Sequence, residues 1–144
     1  MPRIFTTLAL LSLGLFLASI VLGLWIGDLY DMSDAEALER TLQARGVHML
    51  TGTATALAVV FLHSVVVTYF IGTSRWCKEV TETYRLDPSA LVKSTLLKRK
   101  TFPWSVLGML TVVGVGALGA ASDPGTGRAN TQAMADYHFI ASLL

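Results

Sequence analysis

Val47 to Ile71 reads VHMLTGTATALAVVFLHSVVVTYFI, 25 residues without a carboxylate, lysine or arginine. At ~1.5 Å per helical residue, ~20 residues cover the ~30 Å of a bilayer's hydrocarbon, so this run is long enough to cross. Two more runs flank it. Ile4–Ile26 has 23 residues without a charge and Pro103–Ala121 has 19. The latter opens Phe102-Pro103-Trp104, with proline at a favoured first helical position and tryptophan where an interfacial ring belongs. With 53% hydrophobic and only 15% charged residues, the chain carries more apolar surface than a soluble core of this length hides. The expected fold is an all-α integral membrane bundle of three complete transmembrane helices and a short or truncated fourth.

The ends of the chain qualify that count. Arg3 and the Ala18-Ser19 pair mimic a secretory leader, but the apolar stretch exceeds the usual ~7–15 residues, so the first run reads as a retained anchor. After the polar turn Ser122-Asp123-Pro124-Gly125-Thr126-Gly127, apolar character returns over 137–144. That is ~12 Å of helix, too short to cross, and a rising apolar run at this point is expected to continue past Leu144.

Charge orients the spans. Gly72–Phe102 carries Arg75, Lys78, Arg85, Lys93, Lys98, Arg99 and Lys100 against Glu79, Glu82 and Asp87, which places it in the cytoplasm. Gly27–Gly46 carries Asp28, Asp31, Asp34, Glu36 and Glu39 against Arg40 and Arg45, which suits the opposite side together with the 122–136 loop. The N-terminus is then cytoplasmic, and the single cysteine, Cys77, lies in a reducing compartment.

Within the outer loop, Ser33-Asp34-Ala35-Glu36 reads as a capping box and Gly46 as a C-cap, predicting a short helix over 34–45. In the inner loop, Arg75–Glu79 and Lys78–Glu82 are i,i+4 pairs, so the second span is expected to continue to about Tyr84. Asp87-Pro88 starts an inner helix over 88–100, separate from the third span at 103–121. Trp76, Val80 and Tyr84 form an apolar stripe suited to docking another subunit. Ser19, Gly23 and Gly27, and Gly108 and Gly119, are small residues at helical spacing, a helix-packing signal read here as a surface for a partner or a second copy.

No carboxylate, lysine or arginine lies inside any span, which argues against an ion-coupled carrier or proton pump through this chain alone, and histidine is the exception. His48 opens the second span, His63 lies in its inner half and His138 starts the terminal run. Fifteen residues separate the first two, about 60° around a helix and ~22 Å along it, on a face that also carries Gly52, Thr55 and Ala56. His48 and His138 both begin at the outer surface and would meet at one depth if their helices are neighbours. Two neutral imidazoles from two helices are what a six-coordinate b-type haem requires. The layout resembles the four-helix dihaem core of cytochrome b, where two histidines of the second helix face two of the fourth. It departs from that family in a spacing of 15 rather than 14, and in the missing fourth ligand, which would fall near position ~152. The alternative is that His48 is interfacial, His63 bonds a threonine or carbonyl of a neighbour and His138 caps a helix.

No residue pattern identifies a reaction, a phosphate-binding loop, a metal site or a nucleic-acid surface. The acids Asp28, Asp31, Asp34, Glu36 and Asp136 lack the alternation and central glycine of a calcium loop and read as a solvated face. The primary functional expectation is a small non-catalytic polytopic subunit that packs with other transmembrane proteins in a larger complex. An electron-transfer subunit with haem b on His48, His63 and His138 is the second reading, and an oligomeric channel or transporter the third.

Overall fold

The computed structural model describes residues 2–29 and 33–143. Four helices follow one another: α1 Pro2–Leu24, α2 Ala35–Tyr84, α3 Ser89–Ala121 and α4 Thr131–Leu143, with a 3-10 turn at Pro124–Thr126 before the last. The first three are long and apolar enough to cross a membrane. Each packs antiparallel on the next, and α4 returns along α3. Phe5 meets Tyr69 at one end of the α1–α2 pair, and Gly27 meets Thr41 at the other.

Four boundaries differ from the sequence reading. The outer helix and the second span are one 50-residue helix, about 75 Å long, so Gly46 is interior rather than a C-cap. A lone glycine costs a helix only ~1 kcal/mol relative to alanine, and the helix formers of 35–45 on one side and the span on the other outweigh it. The N-cap is Asp34 and not Ser33: its carboxylate accepts from the backbone N–H groups of Glu36 (3.0 Å) and Ala37 (3.3 Å). Likewise, the inner helix and the third span merge into α3, with Pro103 inside. Proline removes one N–H from the ladder and leaves the Arg99 carbonyl without its helical donor. That loss falls beside the Lys98–Lys100 cluster, at the polar end of the apolar run. The fourth helix begins six residues before the expected 137, at Thr131, and its 13 residues rise ~20 Å.

The turn from α2 to α3 is tight. Arg85 adopts the left-handed conformation (φ 52°), its N–H bonding Thr81, while the Leu86 N–H also reaches the Thr81 carbonyl at 3.0 Å. A side chain in that conformation costs about 1 kcal/mol that glycine avoids. Arg85→Gly should therefore be stabilising by up to about 1 kcal/mol in thermal or denaturant unfolding, and a loss of stability would show that the arginine side chain makes a compensating contact. Just before this turn the expected pairs form, Arg75 to Glu79 at 2.8 Å and Lys78 to Glu82 at 3.9 Å. The Glu79 carboxylate holds the Arg75 guanidinium pKa above its ordinary value.

Burial is inverted relative to a water-soluble bundle. The buried residues among those described are Ser12, Thr55, Ser74, Ser105 and Thr131, while Leu50 is 75% exposed and Leu57 68%. Hydrocarbon gives apolar side chains no reason to hide, so helices that pack in it approach through small residues and local polar bonds. Thr55 bonds back to the Thr51 carbonyl (2.8 Å), and Ser74 meets Ser94 across α2 and α3 at 3.1 Å.

Candidate functional site

All three histidines lie in notches that glycine opens on the neighbouring helix. A Cβ built on Gly23 of α1 would stand 3.0 Å from the His48 ring, one on Gly119 of α3 would stand 3.0 Å from the His138 ring, and one on Gly108 of α3 would stand 2.6 Å from His63. With Gly27 pressed by Thr41, the four glycines expected to face a partner each receive a side chain of this chain's own α2 or α4. Trp76 and Tyr84 remain 62% and 70% exposed on the inner extension of α2, with Val80 half-buried between them.

The two outer notches share one construction. His48 Nδ1 lies 3.0 Å from the carbonyl of Ser19, four residues before Gly23, and His138 Nδ1 lies 3.0 Å from the carbonyl of Val115, four residues before Gly119. A helical carbonyl i already accepts from the N–H of i+4; where residue i+4 is glycine, no side chain blocks a second donor from the side. Since a carbonyl only accepts, Nδ1 must carry the proton in both rings, and in the neutral imidazole the lone pair then sits on Nε2. This is the arrangement that fixes the tautomer and orientation of a histidine ligand.

These two rings are neighbours, set edge to face. Their centres are 6.1 Å apart and their planes inclined by 71°. Two imidazoles that bind one ion from opposite sides at ~2 Å each place their ring centres ~6 Å apart. Around them opens a cavity of about 620 Å³ lined by all four helices, including Phe16 and Ile20 of α1, Gly52, Thr55 and Ala56 of α2, Val112 and Gly116 of α3, and Phe139 of α4. That volume falls within the ~300–1,000 Å³ of ordinary ligand sites. A Cβ on Gly116 would meet nothing within 4 Å, which leaves open space along that wall.

The mouth of the cavity, at the end where α2 begins and α3 ends, is polar. Asp28, Arg45, Asp123, Gln132 and Asp136 line it, and Arg45 Nη1 donates to Asp123 Oδ1 at 2.8 Å. Asp123 also caps the 3-10 turn by accepting from the Gly125 N–H at 2.8 Å. Sequence reading singled out neither Arg45 nor Asp123 for this site; the signal available to it was the i,i+3 spacing of Arg45 and His48.

His63 stands apart. It lines a smaller cavity of about 330 Å³ with Phe16, Val59, Trp104, Leu107, Gly108, Thr111 and Val112, none of them from α4. No second imidazole faces it among the described residues. Among those residues, also, no three His, Cys, Asp or Glu side chains group as metal ligands. Of the acidic outer loop, Asp34 is spent as a helix cap, Glu36 pairs with Arg40 at 3.3 Å, and Asp31 lies outside the described residues. No family model, curated protein or solved structure matches the chain.

Proposed function

We propose that the chain is a membrane-embedded electron-transfer subunit that holds one b-type haem between His48 and His138. The observation that carries the reading is the facing pair itself, 6.1 Å between ring centres with each Nδ1 committed to a backbone carbonyl. Among the described residues, a bare ion would find these two imidazoles and no group of three His, Cys, Asp or Glu side chains. Haem iron would arrive with the donors of its macrocycle and would need from the protein the pair that His48 and His138 could supply, and the apolar walls with Gly52 and Gly116 would suit a flat group. Bound there, the iron would alternate between ferrous and ferric states and so relay single electrons.

The protein's part is to hold. Ser19 and Val115 fix the proton on Nδ1 and the plane of each ring, and Gly23 and Gly119 let the imidazoles lie against the helix backbones. We place the N-terminus and the 72–102 segment in the cytoplasm from their excess of basic residues, so this site lies toward the opposite surface. Membership of a larger complex is compatible with this reading, since a one-electron relay needs a donor and an acceptor, and the exposed Trp76 and Tyr84 offer an inner contact surface. A channel has less support, since Gly23, Gly27, Gly108 and Gly119 each receive a histidine or threonine side chain of the same chain.

Protein expressed with ample haem and purified in detergent should show a reduced-minus-oxidised band near ~560 nm, with about one haem per 144-residue chain. Colourless, folded protein under those conditions overturns the proposal.

A further inference from the structure

We propose that Arg45 is the anchor for a carboxylate arm of the bound macrocycle, an assignment that rests on the haem reading above. Arg45 precedes His48 by one helical turn on the same helix, so a group bound to both reaches from the cavity centre to its mouth. Of the described residues that line the cavity, it is the only lysine or arginine. Its Nη1 is taken by Asp123 at 2.8 Å, but its Nε is buried without any hydrogen-bond partner. A buried donor left unsatisfied is costly, and a guanidinium cannot relieve the cost by losing its proton. The edge formed by Nε–H and Nη2–H is the fork that matches the two oxygens of a carboxylate.

The surroundings make the position specific. Asp28 and Asp136 also line the mouth and repel a carboxylate placed beside them. Asp123, itself held by the Gly125 N–H, ties the guanidinium to the cavity mouth through Nη1 alone, so a carboxylate reaches the Nε edge once the side chain turns that buried edge toward the cavity. Tetrapyrroles carry carboxylate side chains at one rim, so a macrocycle centred between His48 and His138 with that rim outward presents the group Arg45 lacks.

Titrate purified apoprotein with haem and with haem whose two carboxylates are methyl esters, following the six-coordinate absorbance. Wild type should prefer the free acid by about ten- to a hundredfold, the value of one charged bidentate bond. Arg45→Gln should bind the ester as wild type does and lose that preference. Arg45→Lys, which keeps the charge without the fork, should retain only part of it. Asp123→Asn controls for loss of the ion pair alone and should still discriminate; it serves as the second variant if Arg45→Gln misfolds by circular dichroism. Equal binding of acid and ester by wild type overturns the assignment of Arg45 and leaves the haem reading standing, as does undiminished preference in Arg45→Gln. If wild type binds neither macrocycle, the haem reading falls and this assignment with it.

Discussion

On the proposed haem reading, His138→Ala should abolish the six-coordinate haem spectrum and lower haem affinity by at least ~100-fold, and His48→Ala should do the same. Even second-shell partners of a metal-bound histidine are worth ~10–100-fold, and here a proposed ligand itself is removed. Each substitution also strips a carbonyl, Val115 or Ser19, of its second donor, but those carbonyls retain their helical bonds, so folding should survive. The remaining imidazole leaves at most a five-coordinate, weakly held group. His63→Ala is the internal control, since no ring faces His63 and its small cavity receives no residue of α4. Haem content and absorbance of the three variants, purified side by side, check the expectation. Wild-type spectra from both outer variants would remove the pair as ligands.

The glycine notches support an equally large and less obvious effect. Gly119→Leu should eliminate haem binding although residue 119 is no ligand, and Gly23→Leu should act in the same way. Even the first atom of a new side chain would lie 3.0 Å from the His138 or His48 ring, and the rest must displace the imidazole from its carbonyl. Overpacking of this kind costs ~1–3 kcal/mol in stability, and a site tolerates only ~0.5 Å of ligand displacement before function suffers. Gly108→Leu, with its Cβ at 2.6 Å from His63, should destabilise the α2–α3 packing by a similar amount while sparing the outer pair. Gly46→Ala and Gly114→Ala make the contrast, because nothing lies within 4 Å of either new Cβ. Both positions are helical, so alanine should stabilise by up to about 1 kcal/mol and leave the spectrum unchanged. Thermal unfolding together with absorbance separates these cases; full haem binding by Gly119→Leu would sever the link between notch and ligand.

Much of the bundle is legible along the chain because it depends on local quantities. The three charge-free runs read directly as α1 and the apolar stretches of α2 and α3, and the i,i+4 pairs placed the end of α2 at Tyr84. The misread points are single residues judged alone. Gly46 and Pro103 look like punctuation, yet a helix ends only where the summed preferences of the flanking turns fail, and at both places they do not. For the site, the face of α2 with His48, Gly52, Thr55 and Ala56 was readable from periodicity, and all four line the main cavity. Arg45 was read only as part of a loop, because its exposure depends on α2 continuing outward and on the Asp123 turn closing over it.

By itself, the sequence determines the all-helical class, the apolar runs long enough to cross a membrane and the helix face on which each histidine sits. Hydropathy and the 3.6-residue period are properties of consecutive residues, so no partner is needed to read them. Which histidine meets which is decided only by tertiary structure. The small residues of α1 and α3 read equally well as contacts with a second chain, and the identity of their neighbours depends on helix register, which no local pattern encodes. The packing of α2 on α1 and of α4 on α3 sets that register, turning Gly23 and Gly119 into imidazole notches and bringing the rings of His48 and His138, 90 residues apart in the chain, edge to face beside one cavity.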